Sequence, residues 1–261
     1  KNYKLQEILE KNLSCSKYFR KINYKKKLNY SKDYDLVFNT DYNNSITKKH
    51  FNKKIEKKYN SIAYITILEH ERISNKTAVQ IFTKNGPLAF LPISDYETSI
   101  VYSINNHLKG EKEVNNLINT YNSKYTLKKI NKINSFELHG LSLRSYFHKN
   151  ILAFGDLLHR IHPLAGQGFN MSLRDIKLLS EIIDERLNLG LDLDSSICKE
   201  FQKYSKDKNY LFSTSIDWIY ELFNFERMLN SDLFYKSINM IGKTKILNSF
   251  LKKIADNGIR I

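Results

Sequence analysis

The stretch Phe154-Gly155-Asp156-Leu157-Leu158-His159-Arg160-Ile161-His162-Pro163-Leu164-Ala165-Gly166-Gln167-Gly168-Phe169-Asn170 reads as a strand end, a loop and a helix start. Upstream of it, Asn150 to Phe154 is a short apolar run of the kind that forms a buried strand. Downstream, Leu173, Ile176, Leu179, Ile182 and Ile183 follow the 3.6-residue period of a long amphipathic helix, which Gly190 would stop. Gly166 and Gly168 let the backbone come close to a planar group, and the unpaired N–H groups of a helix start favour negative charge. Asp156, just past the strand, offers a carboxylate that accepts hydrogen bonds from hydroxyl groups.

Working outward, Leu5, Ile8, Leu9 and Leu13 predict an amphipathic opening helix. Short strands are expected within Phe19 to Leu28 and from Asp35 to Asn39. Between Ser61 and Ile104, the segments SIAYITILEH, TAVQIFTK, LAFLPI and TSIVYSIN are rich in β-branched and aromatic residues. Turn signals at Asn85-Gly86-Pro87 and Ser94-Asp95 separate them. They predict an antiparallel sheet, one face packed on a core and the other lining an apolar cavity. A helix is expected near Glu113 to Tyr121, and two or three more beyond Ser195.

Lys+Arg 42 against Asp+Glu 27 gives a net charge of +15. The excess is spread among Asn, Ile and Tyr residues, which reads as solvated faces and not as a binding stripe, so a nucleic-acid partner is not expected. Cys15 and Cys198 are far apart, which suggests neither a disulfide framework nor a thiolate metal site and fits a reducing cytoplasm. The opening KNYKLQEILEKNL lacks the apolar core of a signal peptide, and no apolar run is long enough to span a bilayer as a helix. A metal triad of Asp156, His159 and His162 would lack a fourth ligand, so no metal is expected.

The order Gly-Asp, His, Pro, Gly-x-Gly-x-Asn and Arg-Asp resembles the second flavin-binding motif of class A aromatic hydroxylases. His162-Pro163-Leu164-Ala165-Gly166-Gln167-Gly168-Phe169-Asn170 is especially similar to the ubiquinone-biosynthesis branch of that family. The resemblance runs from about Asn2 to Gly258. It includes Gly86-Pro87-Leu88-Ala89-Phe90-Leu91-Pro92, Tyr34 to Asp41, SIDWIYELFNFERM and the ending FLKKIADNG. It implies an FAD-dependent monooxygenase that uses NAD(P)H and O2 to hydroxylate a polyprenylated phenol. The Gly155-Asp156 pair would hold the ribityl chain. Pro163 would lie beside the isoalloxazine ring, and Gly166, Gln167, Gly168 and Asn170 would cradle its pyrimidine side. No side chain is assigned a catalytic role, because the cofactor supplies the oxygen chemistry. Arg174 and Asp175 match the family's helix without a required cofactor contact. The substrate ring is expected on the sheet around Tyr64, Phe82, Phe90 and Leu91.

The chain departs from the family at two places: the Gly expected after Asp41 is Tyr42, and the expected Arg is Lys48. The Gly-x-Gly-x-x-Gly fingerprint of the first βαβ unit is also absent, since Met171 stands where a third glycine would follow Gly166 and Gly168. A truncated chain that holds FAD weakly by itself is therefore expected. The fold class is mixed α/β and α+β: a partial Rossmann-like FAD-binding domain, an inserted antiparallel substrate sheet and a helical C-terminus. The expected division is 1–50 with 146–190 for the FAD-binding remnant, 51–145 for the substrate sheet and 191–261 for the helical end.

Leu233, Phe234, Ile238, Ile241, Ile246, Leu247, Phe250, Leu251 and Ile254, with lysines interspersed, form a basic amphipathic ending. Such an ending packs on the core or lies on anionic lipid, consistent with a cytoplasmic enzyme in peripheral contact with the inner membrane and with other ubiquinone-biosynthesis proteins. Two alternatives stay open. One is a flavin hydroxylase of a small soluble aromatic, and the other is a non-catalytic basic module for lipid or nucleic acid.

Overall fold

Strand β2, Lys54–His70, is the axis of the molecule. A computed structural model describes residues 2–22, 33–83, 85–105, 111–163 and 166–228. Its elements begin with helix α1, Asn2–Ser14, strand β1, Val37–Asn39, and helix α2, Ser45–His50. After β2 come β3, Val79–Thr83, β4, Gly86–Pro92, and β5, Glu97–Asn105. Helix α3, Glu111–Tyr121, precedes β6, Leu127–Ile130, β7, Asn134–Leu143, β8, Phe147–His148, and β9, Ile151–Ala153. A 3-10 turn at Gly155–Leu157, strand β10, His159–Arg160, and helices α4, Gln167–Asn188, and α5, Ser195–Met228, complete the order.

The expected antiparallel sheet forms and is larger than predicted: seven strands, in the order β10-β7-β2-β5-β4-β3, with β6 also paired to β2. β5 lies along one edge of β2 from Ser61↔Asn105 to Glu69↔Glu97. β7 and then β6 follow the other edge, and the register shifts between Lys58 and Ile62. Asn60 sits in that gap at φ 49, the left-handed region that Asn tolerates better than most residues, so the strand bulges there. The bulge directs two side chains to α5: the Tyr59 hydroxyl donates to Asp217 Oδ1 at 2.6 Å, and Ser61 Oγ lies 2.6 Å from the Tyr220 hydroxyl.

Helix α3 covers one face of this sheet. Val114 and Ile118 pack over Tyr64, Leu68, Leu88, Phe90, Ile100, Tyr102 and Ile104, all buried. Each such side chain contributes about 1.5–3 kcal/mol on burial. The β3–β4 turn depends on Gly86: its φ is +142°, and a Cβ there would stand 1.9 Å from the Ser103 carbonyl oxygen.

A second sheet of three strands, β1-β9-β8, runs parallel between β1 and β9 and antiparallel between β9 and β8. The predicted buried strand is its centre, with Ile151, Leu152 and Ala153 all buried. Leu157, Leu158, Leu179, Ile182, Ile197 and Phe201 join it in one core that holds α4 and α5 to the sheet. Gly190, φ +66, ends α4: its N–H bonds Leu187 O and that of Leu191 bonds Arg186 O, a Schellman closure.

Both ends of the chain meet their expectations only in part. Of the two or three helices expected beyond Ser195, the described residues hold one, 34 residues long with no Gly or Pro before Met228, and 229–261 lie outside the described residues. Of the strand expected within Phe19 to Leu28, the described part, 19–22, is not strand, and the rest lies outside the described residues. The opening helix forms, but Leu5, Ile8, Leu9 and Leu13 are exposed. The apolar run from Leu233 to Ile254 and the ending FLKKIADNG also lie outside the described residues. Among the described residues no helix is long and apolar enough to cross a membrane.

Candidate active site

The 3-10 turn after β9 projects one carboxylate outward from a buried frame. Gly155 takes φ +63°, the Leu158 N–H closes on Gly155 O at 2.9 Å, and Leu157 and Leu158 are buried while Asp156 is exposed. The Asp156 side chain makes no hydrogen bond or ion pair among the described residues. Beside it, the Phe154 N–H donates to Asn39 O at 2.9 Å, which ties the turn to the end of β1. The loop after β1 is fixed in turn: Asn39 Nδ2 donates to Thr47 Oγ1, and Thr47 Oγ1 to Asp41 O.

At the other end, α4 starts at Gly166, φ 63 and ψ 25, with no side chain capping it and no acidic residue in its first turn. Among the described residues no side chain caps the positive end of the helix. Gly166 and Asn170 are exposed, Gln167 and Gly168 half-buried, and Asn170 Nδ2 reaches Gln167 Oε1 at 3.3 Å. Among the described residues, a Cβ built at Gly155 or Gly166 meets nothing within 4 Å, and one at Gly168 meets Ile161 alone, at 4.0 Å. Open space over glycine backbone, an unpaired carboxylate and an uncapped helix start together fit a planar group bearing hydroxyls and partial negative charge. Pro163 is half-buried between these ends, and Leu164 and Ala165 lie outside the described residues.

Behind the cradle, the two histidines have separate partners. His159 Nε2 lies 2.6 Å from Asp175 Oδ2, and Asn209 Nδ2 donates to Asp175 Oδ1 at 3.0 Å. His162 is fully buried, its ring stacked on Tyr220 at 4.3 Å and met edge-on by Tyr59 at 4.9 Å. Burial first, then the charge of Lys57, lowers its pKa to about 4. Among the described residues no group of three His, Cys, Asp or Glu could hold a metal ion. Tyr42, at the position of the expected glycine, is bound by Lys54 and Glu56 and lies 5.6 Å under the Arg160 guanidinium, while Lys48 is exposed.

The four residues expected around the substrate ring do not line one pocket. Tyr64 and Phe90 are buried in the core under α3. Phe82 and Leu91 project from the opposite face, with Ile65, Ile67, Ala89 and Val101, of which all but the exposed Leu91 are half-buried. Phe82 packs against Ile161, Met171, Phe212 and Ile216, so this second face meets the cradle loop at that corner. Arg174 closes the corner with its guanidinium 4.4 Å over the Phe212 ring. Sequence reasoning missed Phe212, Ile216 and Asn209, which reach the site only through the path of α5. Next to the corner, a groove of about 360 Å³ runs between the sheet and α5, bordered by Tyr59, Gly140, Arg160, Asp217 and Trp218.

Residues 49–190, more than half of the chain, match the model of the FAD binding domain family. The chain belongs to this FAD-binding family. Among curated proteins, this FAD-binding chain is similar to the mitochondrial ubiquinone biosynthesis monooxygenase COQ6 of Dictyostelium discoideum. The two are 26% identical over an alignment of 266 positions, gaps included, that covers 82% of this chain and 53% of that protein. It is also similar to the ubiquinone hydroxylase UbiL of Rhodospirillum rubrum, 27% identical over 175 residues, 64% of this chain and 41% of the relative. The chain thus spans about half the length of the curated relatives it matches. Among solved structures, an HpxO variant of Klebsiella pneumoniae complexed with FAD superposes with a TM-score of 0.66 at 12% identity, covering 85% of this chain and 61% of that one. The p-nitrophenol 4-monooxygenase PnpA of Pseudomonas putida gives a TM-score of 0.64 at 14% identity, over 87% and 60%. These likenesses show the shared fold of the FAD-binding chain.

Proposed function

We propose that the chain is part of an FAD-dependent monooxygenase that hydroxylates the aromatic ring of a polyprenylated phenol in ubiquinone biosynthesis, with NAD(P)H and O2 as co-substrates. The observation that carries this reading is the open cradle between Asp156 and the start of α4, set against an apolar corner of the sheet. Asp156 holds the ribityl hydroxyls, Pro163 borders the ring, and Gly155, Gly166, Gln167, Gly168 and Asn170 form the backbone surface against it. When bound, FAD supplies the electron transfer and oxygen activation that no side chain here can provide. The uncapped start of α4 stabilises negative charge developing over the cradle. Phe82, Ile161, Met171, Phe212 and Ile216 keep water from the adjoining corner and receive the apolar ring. The half-buried face from Phe82 to Ile65, Ile67 and Val101 leads away from that corner and suits a prenyl chain.

In this reading 1–50 with 146–190 forms the cofactor part, 51–145 the substrate part and 191–261 the helical end. β10 links the first two by pairing with β7 through His159↔Ser142. Peripheral contact with anionic lipid is part of this reading, supported by the basic amphipathic sequence from Leu233 to Ile254 and by the apolar substrate. The test is fluorescence titration of FAD with the purified chain and with Asp156→Ala. Saturable quenching that weakens about tenfold or more in the variant supports the reading, since a hydrogen bond to a charged group is worth about 1.5–3 kcal/mol. Equal titration of both proteins counts against it. A prenylated phenol that protects Phe82 from labelling no better than a small soluble phenol would argue for a soluble aromatic substrate.

A further inference from the structure

We infer that His159, Asp175 and Asn209 form a clasp that sets the separation between the Asp156 turn and the start of α4, and thereby the fit of the flavin. This rests on the flavin reading of the cradle. Three elements converge on Asp175, which is 2% exposed: β10 through His159 and α5 through Asn209, with α4 carrying Asp175 itself. His159 stands three residues after Asp156, and its backbone is pinned by pairing with Ser142 of β7. Asp175 lies on the same continuous helix as Gly166, Gln167 and Gly168, so fixing it fixes where that helix starts. Tyr146, buried beside Asp175 and hydrogen-bonded to Asn209, closes the remaining side.

The rest of this layer is joined by Leu157, Leu158, Leu179 and Ile182, and apolar contacts of that kind tolerate small sliding. A 2.6 Å bond between two buried polar groups does not, because any displacement leaves a desolvated donor or acceptor unmatched. Packing alone would be served as well or better by apolar side chains of the same volume. What the hydrogen-bonded trio adds is one register between the carboxylate that would hold the ribityl chain and the glycine backbone that would border the ring. These are positioning residues. None of the three needs to touch the cofactor.

The experiment compares the full chain with Asp175→Asn, with the double variant Asp175→Asn/Asn209→Asp, and with Ser205→Ala. Ser205 is a control on α5, buried and bonded to Phe201 O at 2.7 Å but outside the clasp. Each protein is titrated with FAD and followed by amide hydrogen exchange at Leu158 and Gly166. These N–H groups close on Gly155 O and Pro163 O at the two sides of the cradle. The clasp predicts that Asp175→Asn weakens FAD binding about tenfold or more and speeds exchange at both amides. The double variant, which restores complementary donors and acceptors, should recover most of both. Ser205→Ala should lower the melting temperature with neither effect. If Asp175→Asn changes affinity and exchange no more than Ser205→Ala does, the trio only supports the fold and the inference is overturned. If no form binds FAD, the flavin reading fails for the chain alone. Exchange at Leu158 and Gly166 then decides the clasp: faster in Asp175→Asn only upholds it, and unchanged overturns it.

Discussion

The imidazole of His162 stacks on the ring of Tyr220 at 4.3 Å and 29°, so the residue next to Pro163 is locked onto helix α5. Tyr59 crosses the same imidazole at 90°, and its hydroxyl is bonded to Asp217, which places His162 between a sheet and a helix with no room to hydrate. Its pKa is held at about 4 against 6.5 in a free side chain, first by burial and then by Lys57.

This depression makes stability depend on pH with a definite sign. Above pH 6.5 both folded and unfolded His162 are neutral and its contribution is complete. Between 6.5 and about 4 only the unfolded chain takes the proton, so stability falls as pH falls through that window. The full loss is about 3 kcal/mol at 1.36 kcal/mol per unit. Urea denaturation of the protein and of His162→Phe across this range should show the variant with a shallower slope. Parallel slopes would mean that the imidazole is hydrated.

Two glycines with positive φ should respond differently to the same substitution. Gly86→Ala would drive a Cβ into the Ser103 carbonyl, and the β3–β4 hairpin would have to move, a loss of more than about 3 kcal/mol. Gly166→Ala meets open space and bears only the left-handed strain of about 1–2 kcal/mol, while its methyl group enters the cradle. Thermal melts with and without FAD separate the two: the first variant loses stability in both, the second loses chiefly the added stability conferred by FAD.

The two faces of the substrate sheet give a third pair. Leu88, with no exposure, packs under α3, so Leu88→Ala should cost about 2–5 kcal/mol. Leu91 is 39% exposed on the opposite face, and Leu91→Ala should change stability by less than about 0.5 kcal/mol. If the prenyl chain lies on that face, Leu91→Ala weakens binding of a prenylated phenol, measured by calorimetry, while leaving a short-chain phenol unaffected.

These faces also show where reading the sequence stops. Ile151 to Ala153 and the extent of α4 were legible from an apolar run and from a period with its stop at Gly190. The buried face of α4 needs correction: it is Met171, Asp175, Leu179 and Ile182, while Leu173 and Ile176, expected on it, are exposed because the His159–Asp175 pair and Phe212 turn the helix the other way. The split of Tyr64 and Phe90 from Phe82 and Leu91 was not legible, because facing depends on register and not on residue type. Phe82 pairs with Pro87 while Phe90 pairs with Val79, so two phenylalanines at even positions point to opposite sides of one hairpin. That register comes from the turn at Gly86, which the sequence located without stating its pairing. The polar partners His159, Asp175 and Asn209 lie 16 and 34 positions apart along the chain, and only the packing of α5 on α4 brings them together. By contrast, the glycines and carboxylate of the cradle sit within one short run, and their arrangement followed from local rules of strand, turn and helix start.

In the proposed reading Asp156 and the start of α4 form one flavin site, and the decisive measurement is FAD titration of the chain beside Asp156→Ala and Gly166→Ala. A shared site requires saturable binding that weakens about tenfold or more in each variant, with far-ultraviolet circular dichroism unchanged in Asp156→Ala. Binding that is indifferent to both substitutions would contradict it.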